Sequence, residues 1–411
     1  MERDSGFLWD LVVVGGGAAG FFCAANLLEQ HPDARILIVE SSQKILSKVK
    51  ISGGGRCNVT HACWEPKELV LNYPRGKKEL LGPFHRFACG DTMEWFSNRG
   101  VELKIEEDGR VFPISDSSQT IIDCLIKHTL DKGIRLNLGC KITAIKTWEE
   151  GYILESKTGM LSTKNVLWAT GGTESSYKVL ADLGVQLDPR FPSLFSMNIA
   201  DAKLKKMSGL AVPNAEVGIP RLKLNASGPL LITHWGISGP AVLKLSAFGA
   251  EKLAEIGYQT EITINWVGLL VEEILEMLED DQKQYPKMKL AKLRCFPVLP
   301  KRLWSYLVFK AGLDEEAIFG SLAPKHLKKL AEELGKCELR MDGKTTYKEE
   351  FVTGGGIHLR EINFKTMELK KLPGFYACGE VLNIDGVTGG FNFQNAWTGA
   401  FIAAEAMAND L

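Results

Sequence analysis

An uninterrupted apolar run, Leu11–Val14, leads into Gly15-Gly-Gly17-Ala18-Ala19-Gly20, and Glu40 closes the next apolar run. This order of strand, glycine turn, helix, strand and acid leaves few folds open. A parallel strand buried on both faces reads as continuous apolar sequence. Gly15 permits the tight turn, Gly17 admits a pyrophosphate to the backbone, and Gly20 allows close helix–strand packing. The helix that starts near Ala18 presents free N–H groups to phosphates. An acid about twenty residues beyond the turn accepts ribose hydroxyls, the role expected of Glu40. A glycine turn that binds nothing would not need that acid.

The rest of the composition narrows the class. A chain of 411 residues with 45% hydrophobic and 24% charged residues has the balance of an ordinary globular protein. The formal charge of −1 predicts no nucleic-acid partner. The basic clusters Lys203–Lys206 and Lys325–Lys329 read as solvated faces. Nine scattered cysteines point to reduced thiols in a reducing compartment. No apolar run reaches a membrane span, and no secretory leader precedes the first strand, so a cytoplasmic protein is expected.

The dinucleotide-binding region reads as split in sequence. Arg135–Leu138, Lys141–Ile145, Tyr152–Ser156 and Val166–Ala169 are short strands, the last running into Ala169-Thr170-Gly171-Gly172. Gly374–Gly379 is a further strand, and a glycine turn at Gly389-Gly390 enters a final helix. Between them, β-like runs (Ala215–Ile219, Leu222–Leu224, Leu230–Thr233, Glu261–Trp266) precede two helices. Val271, Ile274, Leu275 and Leu278 mark one, and Leu327, Leu330, Ala331 and Leu334 the other. The expected domains are 1–190 with 351–411, a β-rich insert of 191–267 with 337–350, and a helical subdomain of 268–336. No second glycine fingerprint follows, so a nicotinamide would dock only transiently.

The fingerprint suits FAD or NAD. A strand ending in Gly379-Glu380 suits a ribityl chain, and a helix N-terminus after Gly390 suits the negative charge of a reduced flavin ring. A plain NAD dehydrogenase needs no such closing segment. The three glycines of Ser52-Gly-Gly54-Gly55-Arg56-Cys57-Asn58 read as a loop around the cofactor, with Arg56 and Asn58 as donors.

Four blocks together resemble the BaiN-like, aminoacetone-oxidase-like FAD-binding proteins: Ile51–Thr60, Thr233–Pro240, Thr353–Gly356 with Glu361–Met367, and Gly379–Gln394. His61, Asn383 and Phe391 stand where that family usually has Asn, often Asp and commonly Tyr, and the stretch after Gly172 is shorter than usual. The resemblance implies an α/β, Rossmann-like FAD domain of the glutathione-reductase type, split in sequence, with an inserted β-rich domain and a small helical domain. It implies a flavin site lined by Gly15, Gly17, Ala18, Ala19, Gly20, Glu40, Gly54, Gly55, Arg56, Cys57, Asn58, Thr170, Gly171, Gly379, Glu380, Gly390, Phe391 and Asn392. The insert would close over the flavin.

Residues that could carry chemistry are fewer. His61, His234 and Cys57 are the candidates for acid–base or nucleophilic work. Cys57 and Cys63 invite comparison with a redox pair, but their five-residue separation and the absence of a second nucleotide domain favour a packing role. His358 reads as a surface residue after the Gly354–Gly356 turn, and Ser238 as a cap on a helix that opens at Pro240. No metal site is expected from the His and Cys spacings. The expected function is an FAD-dependent oxidoreductase on a small molecule, linked to oxygen or to NAD(P)H as a transient co-substrate. The alternative is a flavin-bound scaffold of low turnover. Substrate identity and oligomeric state stay open.

Overall fold

The computed structural model describes residues 8–292, 295–345 and 352–411. The chain divides into two compact units, residues 1–192 with 348–411, and residues 193–347. The boundary expected between 350 and 351 lies outside the described residues.

The first unit is built on a sheet with Leu8–Val14 at its centre. Ile36–Glu40 and Gly159–Trp168 flank it in parallel, followed outward by Arg135–Leu138 and Phe375–Ala377. Leu11, Val12 and Val13 are fully buried, as a central strand covered on both faces requires. Register sets the rest. Val14 lies beside Val39 and Trp168, and Trp168 lies beside Ala377. The carboxyl ends of three strands therefore finish level, and the glycines that follow each strand share one edge. At the opposite end, Asp10 receives hydrogen bonds from the Arg35 guanidinium and an ion pair from Lys164. Burial alone would raise its pKa; these partners outweigh burial and hold it at about 2.

Two helices meet over this sheet although the sequence holds them far apart. Ala18–Gln30 packs on Phe391–Ala408: Phe22 and Trp397 have ring centroids 5.0 Å apart, and His31 Nε2 lies 2.7 Å from the Ala408 carbonyl. Small residues along both helices permit the close approach.

The Thr353–Gly356 glycines differ from expectation. They form a strand, Val352–Ile357, paired with Leu187–Ser193. A methyl group would lie 2.2 Å from the Phe191 ring at Gly354 and 2.1 Å from the Pro189 carbonyl at Gly355. These glycines serve backbone packing and not a turn.

In the second unit, Ser196–Ile199, Gly236–Ser238, Leu224–Ile232, Ala211–Ile219, Gln259–Asn265 and Cys337–Thr345 close into a barrel in that order. A bulge after Val212 brings Ala215, Val217 and Ile219 inward with it. The helix expected to open at Pro240 runs over Pro240–Glu255 and packs on Leu224–Ile232. Its small and apolar residues carry no clean helical period. Ser238 does not cap it; Gly239 occupies that position at φ +98°, while the Ser238 hydroxyl accepts from Ser196. Helices Val271–Gln284 and Pro324–Gly335 stand where the spacing put them and pack on each other in this same unit.

Candidate functional site

The site is the edge where the level strand ends meet. Gly15 turns at φ +118°, and a methyl group there would lie 2.4 Å from the Ala169 carbonyl oxygen. At Gly20 a methyl group would lie 2.2 Å from the Gly15 oxygen. Gly379 rests on the helix start, its missing side chain 3.4 Å from Ala19 Cβ. Around this packed centre, side chains added at Gly17, Gly54 and Gly171 would meet nothing within 4 Å. The backbone there faces open space. The helix N-termini at Gly17 and Gly390 carry no side-chain cap, so first-turn amides beyond these glycines stay available to an anion. Asn395, in the first turns of the final helix, has a buried Oδ1 without a hydrogen-bond partner. Open glycine backbone, uncapped amides and an unsatisfied buried amide oxygen fit an extended dinucleotide such as FAD.

Glu40 also shapes the turn that it faces. Its Oε2 accepts from the Gly16 N–H at 2.9 Å and its Oε1 from the Ser42 N–H at 2.8 Å. Thr170 hydrogen-bonds Ser176. Glu380 is held by Lys48 and accepts the Thr353 N–H at 3.0 Å. Lys48, unmarked in the sequence reading, thus joins the glycine-rich segment to the last strand.

That segment is not a plain loop. Ser47–Gly55 is helical with a kink at Ser52–Gly54, where Gly53 and Gly54 take positive φ. Arg56 pairs through Nη1 with Glu106 and Asp116 and lies 3.9 Å over the Phe112 ring. Asn58 braces the entry to the final helix. Its oxygen accepts from the Gly390 N–H at 3.0 Å and its nitrogen donates to the Thr60 and Val111 carbonyls. Asn392 closes a two-bond ring with the Gly386 backbone, 2.9 Å each way. Phe391 is buried, and its carbonyl accepts the Tyr73 hydroxyl at 2.6 Å.

The acid–base candidates separate. His61 stacks on Phe391 and holds the Gly389 carbonyl with Nδ1 at 3.1 Å. Burial lowers its pKa against the opposing Gly389 bond, and Gly109 covers Nε2, so it acts as a brace. His234 is exposed on a turn of the barrel in the second unit. His358 is no bare surface residue: its Nδ1 lies 3.0 Å from Asp188, which also accepts from Asn383 at 2.7 Å. This pairing explains Asn at 383, since an Asp there would face the Asp188 carboxylate.

All nine cysteines are free. Burial pushes the Cys57 thiol up to about 12, and burial, with Cys89 nearby, pushes Cys63 up to about 11. Neither is a ready thiolate near neutral pH. Cys57→Ala is expected to leave turnover within about twofold, and a chromogenic disulfide should not titrate Cys57 in native protein. Rapid modification of Cys57 with loss of activity would overturn this assignment. Among the described residues, no cluster of three His, Cys, Asp or Glu could hold a metal, and no helix is long and apolar enough to cross a membrane.

Two features escaped sequence reasoning. Asp385, fully buried, forms a two-pronged ion pair with Arg75. Gln394, also fully buried, accepts from Thr60 at 2.6 Å and Thr92 at 2.9 Å and so fastens the final helix. The Asp385-Gly386 dipeptide was a signal for the first; nothing local marked its partner.

The family model described as HI0933-like protein Rossmann domain matches residues 9–406. A protein of Escherichia coli strain K12 named ribosomal RNA dihydrouridine synthase is 28% identical over 98% of each chain. Its namesake in Haemophilus influenzae is 29% identical over 96% of this chain and 97% of its own. The 3-dehydro-bile acid delta(4,6)-reductase of Clostridium scindens is 24% identical over 96% of this chain and 98% of its own.

Proposed function

The chain belongs to the HI0933-like Rossmann family and is an FAD-dependent oxidoreductase, and we propose that it reduces a carbon–carbon double bond conjugated with a carbonyl group. The level carboxyl ends of Leu8–Val14, Gly159–Trp168 and Phe375–Ala377 support the cofactor half of this reading, because they gather open glycine backbones at one edge. FAD, when bound, supplies two-electron transfer. The relatives' names support the reaction class. A dihydrouridine differs from a uridine by one saturated double bond beside a carbonyl, and a delta(4,6)-reductase of a 3-oxo steroid saturates a conjugated one. The balance is one hydride, ultimately from NAD(P)H, and one proton from water; the carbon–carbon π bond is lost and NAD(P)+ is released.

The chain's own residues bind and orient. Uncapped amides beyond Gly17 would hold the pyrophosphate of the cofactor, and Glu40, which keeps Gly16 in its turn, would accept from the ribose. Lys48 fixes Glu380, which would face the ribityl chain. Asn58 and Asn392 hold the Gly386–Gly390 approach, and the N-terminus of the final helix would stabilise negative charge on a reduced flavin ring.

Anaerobic mixing of the yellow holoprotein with NADPH or NADH, followed by a conjugated enone or uridine-containing RNA, tests the proposal. Bleaching by the nicotinamide and return of colour with the acceptor are expected. Reduction by no donor would favour a scaffold role, and reoxidation by oxygen alone would favour an oxidase.

A further inference from the structure

The wall that follows the Gly159–Trp168 strand holds polar groups that the fold does not use. Gly171 turns at φ +63°, and a side chain there would meet nothing within 4 Å. Gly172 packs on Thr353, and its carbonyl accepts from Arg190 Nη2. The helix Glu174–Asp182 comes next. Thr173, in its cap position, makes no side-chain hydrogen bond, so first-turn amides stay available to an anion. Ser176 fixes this start: its hydroxyl accepts from Trp168 Nε1 at 2.8 Å and hydrogen-bonds Thr170. Tyr177 is 8% exposed, and its buried hydroxyl has no hydrogen-bond partner. Burial pushes this phenol up to about 12, with the Arg190 charge opposing, so it is a donor at neutral pH. A buried donor without an acceptor costs free energy that a ligand oxygen would recover. Arg190 Cζ lies 4.9 Å from the Tyr177 ring centroid, and the residue is exposed. Among the described residues Arg190 pairs with no carboxylate. Lys48 holds Glu380, whose charge also reaches the Tyr177 hydroxyl. Two cations therefore stand against one carboxylate. Glu174, exposed in the first turn of the helix, is the acid that opposes an anion here.

We propose that Arg190, Tyr177 and the start of the Glu174–Asp182 helix form a phosphate subsite, and that the 2′-phosphate of NADPH fills it. A guanidinium fork and amides at a helix start match the terminal oxygens of a phosphate monoester. The exposed face of the guanidinium suits stacking on an adenine ring. Arg190 is long and solvent-exposed, and its turn toward an anion uncovers the Tyr177 hydroxyl beneath it. The chain has no second glycine fingerprint, so a few side chains must hold a nicotinamide dinucleotide. The extra phosphate is a handle that NADH lacks. The donor role rests on the reductase reading above; the recognition of phosphate does not.

The holoprotein is titrated calorimetrically with 2′,5′-ADP, 5′-AMP and inorganic phosphate, so that binding is read without turnover. The parent is expected to bind 2′,5′-ADP about 30-fold tighter than 5′-AMP, the range of charge-assisted hydrogen bonds to a phosphate. Arg190→Ala should erase that difference, and Tyr177→Phe should reduce it about fivefold. Tyr177→Phe should unfold no earlier than the parent, because the hydroxyl it removes has no partner. Glu174→Gln should tighten 2′,5′-ADP about threefold. In steady state the parent should prefer NADPH, and Arg190→Ala should bring kcat/KM for NADPH down to that for NADH. Equal binding of the two nucleotides by the parent, a preference for NADH, or parental selectivity in Arg190→Ala overturns the proposal. So does inorganic phosphate that competes as tightly as 2′,5′-ADP. Flavin loss from Arg190→Ala with nucleotide selectivity intact assigns the cluster to FAD and also overturns it. Selective 2′,5′-ADP binding without flavin reduction by either nicotinamide sinks only the reductase reading.

Discussion

Gly15→Ala is expected to give a protein that purifies colourless and melts well below the parent. Two independent effects act at one atom. The residue holds φ +118°, where an L side chain is strained by about 1–3 kcal/mol. The added methyl group would also sit 2.4 Å from the Ala169 oxygen and 2.7 Å from its carbon. Both neighbours are backbone and cannot rotate away, so the turn must separate from the strand end that forms the next wall. Gly17→Ala is the matched control. A side chain there meets nothing within 4 Å, so the fold should persist while pyrophosphate approach, and hence flavin affinity, falls. Flavin absorbance per protein and thermal unfolding of the two variants check the pair. A yellow Gly15→Ala protein with parental unfolding would remove the packed turn as the centre of the site.

The second large effect belongs to Asp385. It is fully buried, and the Arg75 side chain opposite is 13% exposed. Taking away one partner of a buried ion pair leaves the other charge desolvated, which costs roughly 3–5 kcal/mol. Asp385→Ala should therefore lower the urea midpoint strongly. It should also release flavin, because Asp385 precedes the Gly386–Gly390 turn that Asn392 and Asn58 brace. The double variant Arg75→Met with Asp385→Leu distinguishes the charge from the packing: it should unfold later than Asp385→Ala alone. A midpoint for Asp385→Ala within about 0.5 kcal/mol of the parent would show that the pair contributes nothing.

Much of the site was legible because its signals are local. A glycine that turns tightly, an apolar run buried on both faces and an acid one strand later all act within about thirty residues. The helical spacings at Ile274 and Leu278 and at Leu327, Leu330 and Leu334 read directly as buried faces. Mistakes arose where one residue type serves two purposes. Gly354–Gly356 looked like a turn, yet they are strand positions pressed against Phe191 and Pro189. Arg56, read as a cofactor donor, also has a structural partner set that spacing did not show, because its Nη1 pairs with Glu106 and Asp116. The start of the helix at Pro240 was legible, but its length to Glu255 was not, because small residues give little contrast between its faces.

By itself the sequence determined the dinucleotide turn, its acid, the split of the binding region and the glycine turn before the last helix. Each is a property of backbone conformation and side-chain volume along one short segment. Only the tertiary structure decided that Arg75 meets Asp385, that Asn383 and His358 share Asp188, and that Lys203 covers Phe309. Those contacts join segments far apart in the chain. They depend on strand register and helix docking, which arise from the summed packing of both units and are written at no single position.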